Sequence, residues 1–535
     1  MKILVVCQHF YPENFRINDI CYELANKGHD VTVLTGLPNY PKGKVLKEYK
    51  WFKNRSQVIN NVKIKRCSLI GRGTTTPKMM VNYMWFAIFG SLKAIFMKKD
   101  FDIVYVYQLS PITMTWPAIV VKKMAHIPLV IHVLDQWPVS VTTGGVSKDS
   151  LIYKILNKLS IDAYNYADLI TCSSKSFKNY FLNELKIPAK KKFLYLPSYA
   201  ESDYENIEKI DDDTFDLVFA GNIGPAQSIE TIVQAANILK ENKKIKFHIV
   251  GDGLSRKKCE DMAHDLELDN ITFYGYHPVN EMPKYYKIAD AFLITMVNNE
   301  VVNSTLPAKL QSYMVAKRPI IGAISGEVAN VIKESKCGLC TESLDYKNFA
   351  KLILEASHSE KLEEWSNNGY KYYMDNFLKE KCITDLEEVL ETEIKKKKID
   401  DYASGIERFI KYAFISVVSM IIDLSLFTLF NKYILLNLVK NNIIILSTIC
   451  ARIISSIFNY LCNKKIAFKT QNKHSALKYF ALCIIQMFVS GILLQKFYLI
   501  IKINTTLLKL FIDLIIFFVN FTIQKIWVFK EDKKK

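Results

Sequence analysis

Met1-Lys2-Ile3-Leu4-Val5-Val6-Cys7-Gln8-His9-Phe10-Tyr11-Pro12-Glu13 opens the chain; Asn18 to Lys27, Gly28 and Val31-Thr32-Val33-Leu34 follow. Ile3 to Val6 is a short apolar run of the kind a buried strand needs, and His9 to Glu13 reads as a loop. Asn18 to Lys27 is amphipathic and stops at Gly28, and Val31 to Leu34 is the next strand. Strand, loop, helix, strand is the unit of a parallel, doubly wound α/β sheet. The alternation continues through Asp102 to Val106, Leu129 to Val133 and Asp168 to Cys172. Ligands on such sheets bind beyond the carboxyl ends of the strands. That directs attention to His9, Gly36 to Tyr40, Gln108 to Pro111 and Asp135 to Pro138. His132, within a strand, reads as packed rather than catalytic.

A second α/β unit starts near residue 214. The strand Phe215 to Gly221 runs into Asn222-Ile223-Gly224-Pro225-Ala226-Gln227-Ser228, and the helix Ile229 to Lys240 follows. A glycine loop that opens a helix can receive phosphate on free backbone N–H groups. Lys246 to Val250 followed by Gly251-Asp252-Gly253 is another strand and turn, and Leu306-Pro307-Ala308-Lys309-Leu310-Gln311-Ser312-Tyr313-Met314 comes later. Each glycine loop alone is weak evidence; two α/β units in series with this order of loops are much stronger. Asp211-Asp212-Asp213 lies between the two units and reads as a solvated linker, not a metal site.

Residues 409–530 repeat themselves. Asn459, Lys464 and Phe468 return as Asn520, Lys525 and Phe529, and 520 − 459, 525 − 464 and 529 − 468 all give 61. Each copy closes a long apolar run, so the unit is a pair of membrane-spanning helices and the whole a four-helix membrane domain. The four runs are roughly 409–430, 443–462, 478–500 and 506–523, each long enough to span. Lysines and Arg408 crowd the approach, the middle loop (Lys464, Lys465, Lys469, Lys473, Lys478) and the tail (Lys525, Lys530, Lys533 to Lys535). The other loops hold only Lys432, Lys440 and Lys502. The positive-inside rule then places both termini and the soluble part in the cytoplasm. Asp423, Arg452 and Asp513 lie within the runs, and Arg452 and Asp513 occupy matching positions of the repeat. Charges at that depth pair with one another or line a polar path. Two readings stand: an ion pair locking the bundle, or a polar site for a lipid phosphate with Arg452 as the cation and Asn459 and Asn520 as hydrogen-bonding partners.

The net charge of +18 points to anionic partners, although much of it is scattered lysine. The clusters, such as Lys395 to Lys398, flank apolar runs, so the charge follows membrane topology. No nucleic-acid-binding motif accompanies it. Eleven cysteines without a recurring spacing read as reduced cytosolic thiols, and Cys337 and Cys340 have no second pair with which to hold zinc. The N-terminus does not read as a signal peptide. Met79 to Met97, strongly apolar, reads either as a buried helix or as a face dipping into a bilayer.

Residues 405–535 resemble the GtrA-like family, through the four runs, an early run with an internal Asp, and Asn459-x-x-x-Asn463-Lys464-x-x-x-Phe468. Gln524 stands where the motif's second Asn would recur. The resemblance implies a role with polyprenyl-linked sugars: moving them, presenting them, or anchoring an enzyme that uses them. Residues 1–390 resemble glycosyltransferases of family 4 with the GT-B fold, in the WbuB/WcaI-like group of surface polysaccharide assembly. The carriers are Phe10-Tyr11-Pro12-Glu13, Gly28 to Thr35, Pro38-Asn39-Tyr40-Pro41, Asp135-Gln136-Trp137-Pro138, Gly221 to Gly224, Gly251-Asp252-Gly253 and Pro307 to Met314.

The resemblance implies two Rossmann-like domains, at 1–200 for the acceptor and 201–390 for the donor with a return helix. A basic linker, 391–407, and the GtrA-like domain, 408–530, follow. It implies retaining transfer from a nucleotide-diphosphate sugar, with no metal or other cofactor, to a polyprenyl-linked acceptor at a bacterial inner membrane. The implied donor contacts are Gly221, Asn222, Gly224, Gln227, Gly251, Gly253, Pro307, Lys309 and Ser312; the implied acceptor contacts are His9, Arg16, Asn39 and Trp137. Lys309 is the candidate to meet the diphosphate charge. Asp135 orients the acceptor hydroxyl or is only a loop carboxylate. The family commonly carries Glu at two positions that are Ser304 and Ser312 here.

Overall fold

The computed structural model describes residues 1–530 except 74, 189–190, 202–203, 206, 211, 435–442, 471, 473 and 502–504. Within helices it does not describe the side chains of 143–144, 431–432, 443–446, 448, 487–488, 490–491, 494–495, 498–501, 505–510 and 513. Asp211, Lys440, Lys473, Lys502 and Lys533 to Lys535 thus lie outside the described residues, as do the side chains of Lys432 and Asp513. The chain divides into two compact units, Met1–Lys395 and Lys396–Lys535.

The first unit holds two sheets. The first is built from β1 (Lys2–Val6), β2 (Asp30–Thr35), β3 (Ser56–Ile59), β4 (Val62–Arg66), β5 (Ile103–Gln108), β6 (Leu129–Val133), β7 (Leu169–Cys172) and β8 (Lys192–Tyr195). Their order is β3-β4-β2-β1-β5-β6-β7-β8. Every pair is parallel except β3 with β4. β5 and β6 are buried along their whole length, which is why they read as continuous apolar runs rather than alternating ones. β1 pairs with β2 on one side and β5 on the other, so the winding reverses there and a crevice opens beyond the carboxyl ends of β1 and β5.

The second sheet contains β9 (Phe215–Ala220), β10 (Ile245–Val250), β11 (Ile271–Gly275), β12 (Ala291–Thr295), β13 (Ile320–Ala323) and β14 (Gly338–Thr341). It is wholly parallel, in the order β11-β10-β9-β12-β13-β14. Its switch point lies at β9, between β10 and β12, and the loop Gly221 to Ser228 leaves from there.

After the second sheet the chain returns to the first. A helix running Lys379–Leu429 buries Cys382, Ile383, Leu386, Leu390 and Ile394 in the first sheet's core. Ile383, Leu386, Leu390 and Ile394 recur every three to four residues, one face of a helix, with Cys382 beside the first. Lys379 meets Asp19 at 3.0 Å and Glu23 at 2.7 Å, and Glu387 meets Lys27 at 2.9 Å and His29 at 2.6 Å. The basic segment 391–407 is helical throughout, as part of this helix.

The apolar helix Thr76–Phe96 has two faces. Asn82, Phe86, Ala87, Gly90 and Ala94 are buried. A Cβ on Gly90 would come within 2.8 Å of Pro117 in the helix Trp116–Ala125, so glycine is what lets the two helices approach. The opposite face leaves Met80, Met84, Ile88 and Leu92 exposed. The two readings of this stretch thus apply to different faces: one is core, the other is open.

The second unit contains the end of the helix Lys379–Leu429 and the helices Ile443–Cys462, Ser475–Ile501 and Thr505–Ile523. Each repeat ends in a five-residue π-helical turn, Asn463–Ala467 and Gln524–Val528. The repeat-matched Phe468 and Phe529 stack with ring centroids 4.8 Å apart. Tyr412 packs on Phe517 and Phe521 at 5.1 and 5.3 Å. Among the described residues, Thr76–Phe96 and the helical stretch Leu362–Leu429 are long and apolar enough to cross a membrane; Ser475–Gln486 and Leu514–Val528 are shorter apolar segments.

Leu390 is fully buried. Leu390→Ala is expected to destabilise the first unit by about 3 kcal/mol, read as a lower midpoint of thermal unfolding. An unchanged midpoint would mean that the returning helix is not part of the core.

Candidate functional site

A cleft of about 890 Å³ lies in the first unit. Tyr11, Arg16, Tyr107 and Asp135 line it from the first sheet, and Thr305 to Ala308 from the second. Both contributions come from the carboxyl ends of parallel strands, as the switch-point rule requires.

The second sheet's loops Gly221 to Ser228 and Gly251 to Gly253 are not among the residues lining that cleft; there backbone packs directly on backbone. A Cβ on Gly251 would sit 1.8 Å from the Gly221 carbonyl oxygen, and one on Gly253 would sit 2.4 Å from that of Ile223. Both glycines have φ near +150°, at 146° and 159°, where side chains are strained. The Gly221 N–H donates to Val250 O at 2.9 Å, and Ile223 N–H to Asp252 O at 2.9 Å. The Gln227 side-chain oxygen accepts from Gly224 N–H at 3.2 Å and from Asn222 Nδ2 at 3.1 Å. Asn222 and Gln227 thus hold the loop closed on itself.

The helix Ala308–Val315 starts at this loop. Tyr313 fixes it: its hydroxyl accepts from Ala220 N–H at 2.9 Å and donates to Ala220 O at 3.2 Å. Pro307 caps the helix and lines the cleft. Lys309 Nζ lies 3.8 Å from the Phe219 ring centroid, and a Cβ on Gly221 would be 3.3 Å from it. Although part of the lysine residue is exposed, Nζ is buried and has no hydrogen-bond partner among the described residues. Burial lowers its ammonium from 10.5 to about 7, because no nearby anion offsets the lost hydration. Ser312 is buried, and its hydroxyl donates to Ala308 O at 3.2 Å within the helix. Ser304 donates to Gln136 Oε1 at 2.7 Å, joining the two sheets' domains across the cleft.

On the first sheet, Asp135 accepts from the Ser110 hydroxyl at 2.7 Å, and Trp137 Nε1 donates to the same hydroxyl at 3.0 Å. Burial raises the Asp135 carboxyl, and the Ser110 hydrogen bonds partly offset that. Arg16 is paired with Glu201 at 2.5 Å and stacked on Tyr199 at 4.8 Å. His9 and Asn39 are occupied elsewhere. His9 Nδ1 meets Glu13 at 2.9 Å, and both are buried. Glu13 also accepts from the Asn39 and Tyr40 N–H groups, each at 2.6 Å. The Asn39 side chain donates to Leu37 O at 2.9 Å and accepts from Arg72 N–H at 2.9 Å. His9 and Asn39 therefore shape the loop behind the cleft, while Arg16 and Asp135 face into it. His132 is buried, 3.0 Å from Thr171 Oγ1, and burial lowers it to about 4, so it is a neutral packed residue. Asp212 accepts from Thr214 N–H at 2.8 Å, a local turn. Glu13, Ser110 and Tyr313 stand within stretches that the sequence marks, Phe10 to Glu13, Gln108 to Pro111 and Pro307 to Met314, without being expected contacts themselves; Glu201 stands in none of them.

The second unit has its own polar cavity of about 650 Å³. Asp423, Arg452, Asn459 and Asn520 all line it, with Tyr479. Among the described residues, Asp423 is the carboxylate beside Arg452, at 3.7 Å, from the preceding helix of the same repeat. Ser455 donates to Asp423 at 2.8 Å; Asn459 donates to Ser419 at 2.9 Å and accepts from Tyr479 at 2.7 Å. Arg452 remains 70 % exposed, so its guanidinium is only loosely held.

Two facing Rossmann-like sheets with a cleft at their strand ends define a GT-B-like fold. The family described as Glycosyltransferase Family 4 matches residues 15–194, and Glycosyl transferases group 1 matches 201–372. GtrA/DPMS, transmembrane domain, matches 411–529. The chain is thus a glycosyltransferase with a GtrA-like membrane domain. It is 24% identical over 337 residues to the putative colanic acid biosynthesis glycosyl transferase WcaI of Escherichia coli K12, covering 59% of this chain and 81% of that one. It is 24% identical over 333 residues to the alpha-monoglucosyldiacylglycerol synthase of Streptococcus pneumoniae, 56% of this chain and 73% of that one. The fold is similar to that of Anabaena Alr3699/HepE, solved in complex with UDP, at a TM-score of 0.54 and 14% identity, over 73% of this chain and 100% of that one.

Gly251→Ala forces the Gly221 carbonyl away and is expected to destabilise by about 3 kcal/mol or more; unfolding at the wild-type midpoint would show the close approach to be dispensable. Below pH 7, Lys309 is protonated in folded and unfolded chains alike, and the fold bears the full cost of the buried charge. Between 7 and 10.5 the unfolded chain holds a proton that the folded chain has shed, so stability rises with pH. Lys309→Met should flatten that rise in melting midpoint against pH; parallel curves for the two proteins would refute the unpaired-ammonium assignment.

Proposed function

We propose that the protein moves a hexosyl group, with retention, from a nucleotide-diphosphate sugar to a polyprenyl-linked saccharide in cell-surface polysaccharide synthesis. The observation that carries the reading is Lys309: a buried ammonium without an anion, beside the Gly221 loop and at a helix start. A departing diphosphate supplies the missing anion. As the bond from the sugar's anomeric carbon to the diphosphate oxygen breaks, charge grows on that oxygen. Lys309 and the N–H groups of the first turn after Pro307 meet it. The diphosphate therefore needs no metal and no cofactor in this reading. Asn222, Gln227, Gly251 and Gly253 hold the loop's shape, and Ser312 supports the helix from within. Asp135, with its raised carboxyl facing the cleft, orients the acceptor hydroxyl, with Trp137 holding its Ser110 partner. The hydroxyl attacks from the face the diphosphate leaves, and the departing phosphate takes its proton. Arg16 is the acceptor-side cation. Support for a nucleotide donor comes from the likeness in fold to the UDP-bound HepE.

The GtrA-like domain is read as a four-span bundle in a bacterial inner membrane, with both termini and the first unit in the cytoplasm. Its cavity, with Arg452 loosely paired to Asp423, supports a site for a polyprenyl phosphate head group. The second reading, that this domain flips the lipid-linked sugar, uses the same cavity; a plain anchor does not.

The test is incorporation of labelled nucleotide sugars into the butanol-extractable fraction of membranes containing the full chain. Lys309→Ala is expected to lower transfer by about 10²-fold or more, and undiminished transfer would remove Lys309 from the mechanism. Arg452→Leu should lower transfer to lipid acceptor if the cavity presents it. It should spare transfer but block movement of product across the bilayer if the domain flips it. Full activity in both assays would leave an anchor.

A further inference from the structure

Lys50-Trp51-Phe52-Lys53 forms the tip of a loop in which two aromatic side chains point away from the protein. Trp51 is 88% exposed and Phe52 84%. Single exposed apolar residues are ordinary, but adjacent aromatics at this exposure are not explained by folding. Their backbone is left-handed, with φ of 52° for Trp51 and 65° for Phe52, a conformation bulky side chains rarely adopt. The loop is nevertheless held firmly. Tyr49 is buried beneath the Arg66 guanidinium at 4.8 Å, Arg66 donates to Asn54 O at 3.2 Å, and Asn54 donates to Glu48 O at 2.9 Å. Both ends of the tip are therefore clamped, and the tip is presented rather than loose.

Its surroundings are strongly basic. Lys42, Lys44, Lys47, Lys50, Lys53 and Arg55 stand against the single carboxylate Glu48 between residues 41 and 55. Gly73 N–H donates to Gly43 O at 2.8 Å, which ties this basic segment to the turn that opens the helix Thr76–Phe96. That helix carries the open apolar face of Met80, Val81, Met84, Ile88, Leu92 and Ile95, each more than 40% exposed. Aromatic side chains between lysines, next to an unpartnered apolar helix face, fit a bilayer interface: rings at head-group level, cations on anionic phosphates. A protein partner would have to bring an acidic rim and an apolar centre together; an anionic leaflet offers both over any area, and a chain with a membrane domain is already beside one.

We infer that Trp51 and Phe52, with the lysines around them, form a second membrane contact that binds anionic lipid, separate from the GtrA-like domain. The inference relies on the membrane reading of that domain only to bring the first unit to a bilayer. Each lysine that reaches the surface adds attraction that depends on lipid charge and on salt.

The test uses the full chain in lipid nanodiscs with bromine-labelled acyl chains, which quench tryptophan emission on contact. The wild type is compared with Trp51→Phe and Trp527→Phe, in discs of phosphatidylcholine alone or mixed with phosphatidylglycerol. The Trp51 component, wild type minus Trp51→Phe, is expected to lose roughly half its intensity in the mixed discs. It should lose less in phosphatidylcholine alone, or when Lys47, Lys50 and Lys53 are all changed to Glu. A Trp51 component that is not quenched in the mixed discs overturns the inference. Equal quenching in both discs overturns its anionic part. Quenching of the Trp527 component reports separately on the GtrA-like domain, so a failure of the membrane reading is told apart from a failure of this contact. Trp51 touches no core, so Trp51→Phe leaves the fold intact.

Discussion

The carbonyl oxygen of Gly221 occupies the place where any side chain on residue 251 would begin, 1.8 Å from the missing Cβ. The rest of the donor side depends on that backbone contact. β9 and β10 are neighbouring parallel strands, and their loops must leave the sheet side by side. Only with glycine at 251 and 253 can the second loop pass under the first without lifting it. The Gly221 loop then lies low enough for the helix Ala308–Val315 to dock through Tyr313, and for Lys309 to reach beneath Gly221. A larger residue at 251 would disturb the loop, the helix and the cation together.

The charged groups at the strand ends of the two sheets are unevenly paired, in a way that suits an anionic substrate. Arg16 already has Glu201, burial pushes the Asp135 carboxyl toward its neutral form while Ser110 partly opposes that, and Lys309 has no partner among the described residues. An ammonium buried against an aromatic ring is costly when alone and strongly favourable once an anion arrives, because the same low polarity magnifies both terms. A site of this kind is unstable in the empty state by the same physics that makes it bind.

Much of this architecture was legible in the sequence because it rests on local pattern. Apolar runs of four or five residues between glycine and proline loops marked β1, β2, β5, β6, β7 and β9, and a constant offset of 61 marked the repeat. What was not legible depends on pairs far apart in the chain. Arg16 meets Glu201 across 185 positions (201 − 16), and Asp135 is held by Ser110 from the neighbouring strand's loop. His9 and Asn39 looked like acceptor ligands from their place at strand ends. Glu13 lies close enough to engage both His9 and the Asn39 backbone, and it turns them into loop supports. Ser312 looked like a donor contact by position, but a serine hydroxyl is short and finds the carbonyl one turn back. Charge content marked 391–407 as a linker, whereas spacing along Cys382 to Ile394 already belonged to a helix that had no reason to stop before it.

Phe468 and Phe529 are the same position of the repeat, and they stack on each other. A contact between identical positions is self-complementary: each half brings the same surface that it receives. The stack is thus a contact that each helix pair makes with the same residue that it receives. The two halves are not identical elsewhere: Asn463 of one copy is matched by Gln524 of the other, so a site lined by both copies can have a front and a back.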